Sequence, residues 1–238
     1  MKLDLLAIAA HPDDVELTCG GTVIKMVAQG YQTGILDLTR GEMGSRGTPE
    51  TRDREAAEAA RVLGVRVREN LGLPDARLEV REEYKLAVAE KIRALRPRTV
   101  ILPYWEGRHP DHYIGARLAY EGCFLAGLKK LAIAGEPYRP HKILYSTVYH
   151  EVRPSFVVDI TREYARRQKA ILCYGSQFRP PKRERRSKVH LPLDELEQEM
   201  GLIARYYGRM IGVRYGEPFL VRELMRVDDV VEMAVRSI

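Results

Sequence analysis

The stretch LDLLAIAAHPDDVELTCGG, residues 3–21, joins a short apolar run directly to a cluster of ionisable side chains. The apolar part, residues 3–10, has the length and composition of a strand buried in a parallel sheet. His11, Asp13 and Asp14 follow it at once, although imidazole and carboxylate groups are costly to bury without partners. We therefore predict that these side chains serve a function at the end of the first strand.

Strands and helices alternate along the rest of the chain. The apolar pattern predicts further strands at residues 32–39, 65–70, 99–104, 142–150 and 155–161. Helices are predicted at residues 19–30, 50–64, 81–97, at the end of 105–127, at about 162–174 and at 193–211. Such alternation predicts an α/β fold, with a mostly parallel sheet that is covered by helices on both faces.

Three polar loops follow predicted parallel strands. Residues 11–14 follow the first strand, residues 40–47 follow the second, and residues 108–112 follow the strand at 99–104. In open parallel sheets, binding sites form outside the carboxyl ends of the strands. We therefore expect the three loops to meet at one edge of the sheet.

Two of these loops offer metal ligands. Histidine and carboxylate groups bind zinc well, and His11 and Asp14 are close enough in sequence for a tight turn to direct both at one ion. The loop HPDH, residues 109–112, offers His109 or His112 as a third ligand. Three protein ligands with an open position are typical of a catalytic site. Either motif alone is also compatible with an ordinary turn.

Composition argues against several classes of protein. No apolar stretch approaches the roughly 18 residues of a membrane span, and no secretory cleavage site follows the N-terminus, so we expect a cytoplasmic protein. Cys19, Cys123 and Cys173 are widely spaced, which favours reduced and mostly buried thiols. Much of the formal net charge of +6 lies in RPPKRERRSK, residues 179–188. We interpret this run as a solvated loop, because it lacks the interleaved aromatic residues of a nucleic-acid surface.

The motifs AHPDDVELTCGG (10–21), RGEMGSRGTPETRDREA (40–56) and GRHPDH (107–112) resemble those of the LmbE/PIG-L zinc-dependent N-deacetylases. These enzymes act on N-acetylglucosamine conjugates. The resemblance covers about residues 3–178 and implies a Rossmann-like fold, here as one deacetylase domain over residues 1–238.

The loop GEMGSRGT, residues 41–48, is most similar to the branch that deacetylates N-acetylglucosaminyl malate in bacillithiol biosynthesis. Mycothiol precursors and chitin-type oligomers remain alternative substrates. A nucleotide-binding module is disfavoured, because carboxylates stand where it requires the pattern G-x-G-x-x-G. A nucleic-acid-binding protein that uses residues 179–188 is a further alternative.

Carried over residue by residue, the resemblance implies Zn²⁺, with Fe²⁺ as an alternative, on His11, Asp14 and His112. Asp13 then fits a general base, and His109 fits a charged electrophilic group near the oxyanion. Asp111 is expected either to orient a ligating histidine or to cap a helix.

Arginines beside the motifs are candidates for binding the malate carboxylates, because a guanidinium binds a carboxylate through two parallel hydrogen bonds. These candidates are Arg46, Arg52 and Arg108, although Arg52 also fits an exposed helix position. Glu42 is a candidate for the sugar hydroxyls or a plain loop residue. We expect a small amino-sugar substrate, no nucleic-acid or membrane partner, and a homo-oligomer.

Overall fold

A seven-stranded sheet lies at the centre of the computed structural model, which describes residues 1–179 and 193–235. The strand order is β3-β2-β1-β4-β5-β7-β6. The strands are β1 (Leu5–Ala9), β2 (Thr33–Thr39), β3 (Val67–Leu73), β4 (Thr99–Pro103), β5 (Lys142–Ser146), β6 (Phe156–Asp159) and β7 (Gly216–Leu220). Strands β1 to β5 are parallel and β7 is antiparallel to both of its neighbours, so the predicted mostly parallel sheet is confirmed.

Helices cover both faces of this sheet, as predicted. They are α1 (Asp14–Thr18), α2 (Gly20–Ala28), α3 (Pro49–Leu63), α4 (Glu82–Leu95), α5 (Pro110–Ala126), α6 (Tyr164–Ile171), α7 (Gly175–Phe178) and α8 (Leu193–Met210). Leu6 and Ile8 of β1 pack in the core on the side of α4 and α5, while Leu5 and Ala7 face the side of α2 and α6. None of the helices in the described ranges is long and apolar enough to span a membrane.

The strand order reverses between β1 and β4, which are neighbours in the sheet although two strands separate them in the chain. The loops that follow these two strands therefore turn away from each other and leave a crevice at the carboxyl edge. The predicted polar loops at residues 11–14 and 108–112 border this crevice.

The local signals of helix α3 are also confirmed. The Thr48 side chain accepts a hydrogen bond from the Thr51 amide, Pro49 occupies the first turn, and Gly64 ends the helix at φ 81°. All three cysteines are free, and Cys19 and Cys123 are buried.

Three predictions of secondary structure need correction. The segment after β1 turns helical already at Asp14, because a short helix α1 precedes α2. The strand predicted at 142–150 ends at Ser146. Strand β7 was missed, because its sequence GEPFL contains glycine, glutamate and proline and pairing with β6 stabilises it. Apart from Arg179, the basic run lies outside the described residues.

Glu217 of β7 links this strand to the N-terminus of α2. Its carboxylate accepts hydrogen bonds from the amides of Gly21 (2.9 Å) and Thr22 (2.7 Å) and from the Thr22 hydroxyl (2.6 Å). Arg167 of α6 pairs with the same carboxylate at 3.2 Å. An anion at a helix N-terminus is stabilised by the free amides and the helix dipole. Glu217 therefore fixes the start of α2, immediately after the turn that carries the polar cluster.

The two adjacent glycines of α2 are predicted to respond differently to alanine. A Cβ on Gly21 would lie 2.9 Å from atoms of both Ile160 and Glu217, whereas a Cβ on Gly20 would meet no atom closer than 3.4 Å. We expect Gly21→Ala to lower the free energy of unfolding by about 1–3 kcal/mol through overpacking. Gly20→Ala, the matched control, is expected to change it by less than about 0.5 kcal/mol. Urea unfolding followed by circular dichroism measures both, and equal effects would contradict the close-packing explanation.

Candidate metal centre

Three of the predicted side chains converge at the crevice between β1 and β4. His11 and Asp14 come from the turn after β1, and His112 comes from the first turn of α5. His11 Nδ1 lies 3.3 Å from Asp14 Oδ2, and His112 Nε2 lies 3.2 Å from Asp14 Oδ1. One donor atom from each residue lies within 4.8 Å of the other two, as a shared metal ion requires.

A second group, His11, His109 and Asp111, meets the same distance criterion. One nitrogen of His109 and one oxygen of Asp111, however, already accept hydrogen bonds from backbone amides. His109 Nδ1 accepts a hydrogen bond from the Asp111 amide at 3.3 Å, and Asp111 Oδ2 accepts one from the Ala76 amide at 2.7 Å. The donor atoms of His11, Asp14 and His112 instead face one another, so this group fits a cation better.

The structure also decides between the two roles expected for Asp111. His109, not Asp111, is the N-cap residue of α5. Asp111 lies in the first turn, is 1% exposed, and places Oδ2 3.4 Å from His11 Nε2. Its carboxylate therefore lies beside a candidate ligand rather than at the helix cap.

Asp75 is a site residue that sequence reasoning missed. Its Oδ1 lies 3.0 Å from His11 Nε2, its Oδ2 accepts a hydrogen bond from the Met43 amide, and its own amide donates to Glu42. A carboxylate on the far nitrogen of a ligating histidine fixes the ring and its tautomer. The position of Asp75 directly after a parallel strand could have identified it. The predicted strand ended at residue 70, however, whereas β3 runs to Leu73.

Charge at the crevice is unbalanced without a cation. Asp14, Asp75 and Asp111 are at most 6% exposed, and no lysine or arginine of residues 1–179 and 193–235 pairs with them. Burial alone would lower the pKa of His11, but the carboxylates of Asp111, Asp14 and Asp75 raise it well above its ordinary value. Nitrogen and oxygen donors with surplus negative charge suit a divalent ion, which would replace the proton on His11.

The third ionisable residue of the turn after β1, Asp13, has a strained backbone. Its φ of 112° lies in the left-handed region that non-glycine residues rarely adopt. Arg52 of α3 holds this turn: its guanidinium donates to the carbonyl of Pro12 and contacts Asp13 Oδ2 at 3.2 Å. Arg52 is 4% exposed, so the alternative of an exposed helix position is wrong. Burial raises the pKa of Asp13 to about 7, although Arg52 opposes this shift.

A second buried arginine forms ion pairs close to the turn that carries the candidate ligands. Arg68 of β3 contacts Glu16 Oε1 at 2.6 Å and Asp37 Oδ2 at 2.7 Å. Glu16 belongs to α1, so this arginine connects the strained turn to strands β2 and β3. No local sequence pattern could have predicted the contact between Arg68 and Glu16, because 52 positions separate them in the chain.

The other predicted substrate residues lie in the loops that follow β2 and β4. Glu42 is exposed and accepts the Asp75 amide, while Arg46 is half-buried and donates to the Gln177 carbonyl at 3.3 Å. Arg108 is exposed directly before His109. Sequence reasoning missed Tyr149, whose ring stacks on His112 with centroids 5.2 Å apart and which is 46% exposed.

Known proteins are similar to this chain in sequence and in fold. The family of GlcNAc-PI de-N-acetylases, PIG-L, matches residues 6–123. A diacetylchitobiose deacetylase from Thermococcus kodakarensis is 32% identical over 231 residues, which cover 90% of this chain and 80% of that protein. The crystal structure of the conserved protein TT1542 from Thermus thermophilus is 44% identical, with a TM-score of 0.85 over 95% of this chain and 98% of that one.

A probable N-acetyl-alpha-D-glucosaminyl L-malate deacetylase from Bacillus anthracis is 25% identical over 217 residues. The match covers 82% of this chain and 92% of that protein.

Metal binding is predicted to separate three kinds of residue at this site. The protein is expected to bind about one Zn²⁺ per chain, and His11→Ala, Asp14→Ala or His112→Ala should each abolish tight binding. Asp75→Asn should weaken the affinity for Zn²⁺ by about 10- to 100-fold. Asp75 contacts His11 at Nε2, whereas the nitrogen that faces Asp14 is Nδ1. His109→Ala should retain full affinity. Calorimetric titration of chelator-treated protein with Zn²⁺ measures all five variants.

Two results would contradict this assignment. Loss of metal in His109→Ala would favour the group formed by His11, His109 and Asp111. Full metal content in the three ligand variants would exclude a site at this crevice.

Proposed function

Because the chain belongs to the PIG-L family of de-N-acetylases, we propose that His11, Asp14 and His112 hold one divalent ion for hydrolysis of the N-acetyl amide of an N-acetylglucosamine conjugate. The observation that carries this proposal is the convergence of three donor atoms within 4.8 Å next to Asp13, whose side chain is 15% exposed. Zn²⁺ suits these donors, and Fe²⁺ is the alternative. When bound, such an ion polarises a carbonyl group and makes water a stronger acid.

Asp13 is proposed as the general base. Its carboxylate adjoins the candidate ligand Asp14, and Arg52 holds it in one orientation. Asp13 accepts a proton from the attacking water as the water oxygen adds to the acetamide carbon. When the carbon–nitrogen bond breaks, this proton passes to the amine nitrogen, and acetic acid leaves and releases its own proton to become acetate. A pKa raised by burial keeps the carboxylate a stronger base than an exposed aspartate, and a bound cation would lower that pKa again.

His109 is proposed to stabilise the oxygen of the tetrahedral intermediate. Its Nδ1 accepts the Asp111 amide, which leaves the proton of the neutral ring on Nε2. Burial and the neighbouring His11 and His112 lower the pKa of His109 below its ordinary value. We therefore propose a neutral hydrogen-bond donor here, in place of the charged group expected from the sequence.

For the group attached to the amino sugar, a second amino-sugar ring is the first candidate. An apolar surface begins at Tyr149, beside His112, and continues over α8. Tyr206 is 52% exposed and Leu202 is 66% exposed on this surface. Exposed aromatic and apolar residues beside a catalytic centre are typical of a ligand-binding groove. The similarity to a diacetylchitobiose deacetylase supports the same candidate.

Malate is the second candidate, and Arg108 is the residue that favours it. The guanidinium is exposed next to His109 and forms no ion pair with the described part of the chain. A carboxylate on the substrate would therefore meet an available cation at the rim. Among the other sequence candidates, we assign Arg52 to holding Asp13, and Glu42 and Arg46 to holding the loop after β2.

Replacing the proposed base is predicted to separate catalysis from metal binding. Asp13→Asn keeps the size of the side chain but removes the proton acceptor, so turnover should fall by about 100- to 10,000-fold. Zn²⁺ affinity should stay within about threefold of wild type, because Asp13 is not a proposed ligand. Deacetylation is followed by fluorescent detection of the released amine. Normal turnover in this variant would remove Asp13 from the mechanism.

Two surface variants are predicted to identify the attached group. If it is a second sugar, Tyr206→Ala should lower kcat/KM on diacetylchitobiose by about tenfold, and Arg108→Ala should leave it unchanged. If it is malate, Arg108→Ala should lower kcat/KM on N-acetylglucosaminyl malate by about 10- to 150-fold, which corresponds to the 1.5–3 kcal/mol of a charged hydrogen bond.

Arg117→Ala is the matched control, because Arg117 is an exposed arginine of α5, the helix that begins just after Arg108, and it pairs with Glu121. Free N-acetylglucosamine serves as the control substrate. Equal losses on the conjugates and on the free sugar would assign the residue to the fold or the chemistry rather than to specificity.

A further inference from the structure

The β2 loop, residues 40–48, has little regular structure of its own. It contains neither helix nor strand, and most of its side chains are exposed. Gly41 and Gly47 have φ values of 67° and 75°, in the left-handed region that favours glycine. Glycine loses more conformational freedom on ordering than any other residue. Contacts from the rest of the fold must therefore keep this loop in one conformation.

One end of the β2 loop is bonded to the candidate metal centre through Asp75. The amide of Met43 donates to Asp75 Oδ2 at 2.8 Å, and the amide of Asp75 donates to Glu42 Oε1 at 2.8 Å. Asp75 Oδ1 lies 3.0 Å from His11 Nε2. The same carboxylate therefore contacts the loop with one oxygen and a candidate metal ligand with the other.

The other end of the β2 loop is bonded to α7. Gln177 of this helix is 4% exposed. Its side-chain amide donates to the carbonyl of Arg46 at 2.9 Å, and the Arg46 guanidinium donates to the carbonyl of Gln177 at 3.3 Å. Breaking a buried hydrogen bond leaves its partner without compensation, so this pair favours a single position of the loop.

Helix α7 is itself fixed to α3. The amide and the hydroxyl of Ser176 each donate to the carboxylate of Glu55 at 2.7 Å. A Cβ on Gly47 would lie 2.9 Å from Ser176 Oγ, so the loop packs directly on α7. The β2 loop is thus held between two helices at one end and Asp75 at the other.

We propose that Gln177 is a positioning residue of the metal centre: it fixes the β2 loop, and the loop holds Asp75 against His11. This inference rests on the proposed role of His11 as a metal ligand. With the loop fixed, the Met43 amide orients the carboxylate of Asp75, and the carboxylate orients the imidazole. With the loop free, Asp75 loses this bond and His11 can turn away from the other candidate ligands. The affinity for a divalent ion then falls.

Metal binding and the order of the β2 loop are therefore linked. An ion that binds more tightly when the loop is fixed must stabilise the fixed loop by the same factor, because thermodynamic coupling is reciprocal. Gln177 thus influences the metal centre although its side-chain amide bonds Arg46 and Ser176 rather than a candidate ligand.

The affinity for Zn²⁺ tests this link from the side of the loop. Gln177→Met removes the hydrogen-bond donor without adding charge and should weaken Zn²⁺ binding by at least about threefold in calorimetric titration of chelator-treated protein. In an Asp75→Ala background the same change should have no further effect, because the connection to His11 is already broken. Gln168→Met is the matched control, since Gln168 is a half-buried glutamine of α6 whose side-chain oxygen forms no hydrogen bond within the described residues.

Hydrogen exchange of residues 41–47, followed by mass spectrometry, tests the link from the side of the metal. Zn²⁺ should slow exchange of this peptide in the wild type by at least the factor by which Gln177→Met weakens binding. Gly47→Ala disturbs the contact with Ser176 from the loop and should both weaken Zn²⁺ binding and speed exchange. Gly30→Ala is its control, since Gly30 has a φ of 88° and a Cβ there would meet nothing within 4 Å.

Three results would each overturn the role of Gln177 and leave the proposed metal site intact. They are an unchanged Zn²⁺ affinity in Gln177→Met, an equal loss of affinity in the Asp75→Ala background, and loop exchange that does not respond to Zn²⁺. If Gln177→Met melts well below the Gln168→Met control, Gly47→Ala decides by the same criteria. A wild-type protein that binds no Zn²⁺ would overturn the proposed function, and this inference with it.

Discussion

Carboxylates that leave water at the carboxyl end of β1 must each meet positive charge, and this requirement organises the structure around them. Arg68 reaches from β3 to Glu16 and Asp37, Arg52 reaches from α3 to Asp13, and Arg167 reaches from α6 to Glu217. Removing one partner of such a buried pair costs about 3–5 kcal/mol, because the remaining charge stays buried. The elements that carry the three arginines are thus held against the turn after β1.

The remaining carboxylates differ from these in their partners. Within the described part of the chain, the ion-pair partners of Asp14, Asp75 and Asp111 are all histidines. Histidine can give up its proton to a metal ion, whereas arginine cannot. The carboxylates paired with arginine therefore form a permanently charged scaffold, and those paired with histidine form a centre whose charge can change. Asp13 stands at the boundary between the two, since Arg52 holds its carboxylate while its neighbour Asp14 faces the histidines.

This arrangement also explains why the turn can be strained. Asp13 has a φ of 112°, a conformation that costs roughly 1–3 kcal/mol for a non-glycine residue. Contacts from Arg52 to both Pro12 and Asp13 hold the turn in this conformation. Glu217 fixes the N-terminus of α2 from the other side. These contacts hold the carboxylate of Asp13 in one orientation, next in the chain to Asp14.

Sequence patterns were sufficient for the architecture and for bringing the candidate metal ligands together. Apolar runs predicted β1, β2 and β4, because a strand that is buried on both faces of a parallel sheet consists of consecutive apolar residues. Helix periodicity and capping residues predicted most of the helices. The polar residues directly after β1 and β4 were predicted to meet, because parallel strands end at the same edge. The resemblance to the PIG-L family then suggested roles for His11, Asp14 and His112.

What only the tertiary structure decided is how each of these residues is held. Asp75 lies 64 positions from His11, and Arg52 lies 39 positions from Asp13, so no local pattern records either contact. Strand β7 was also missed, because its stability comes from pairing with β6 rather than from its own composition. Local sequence determines periodicity, caps and turns, since those depend on neighbouring residues. Buried charges find their partners across the fold, and that pairing depends on distances that exist only after the chain has packed.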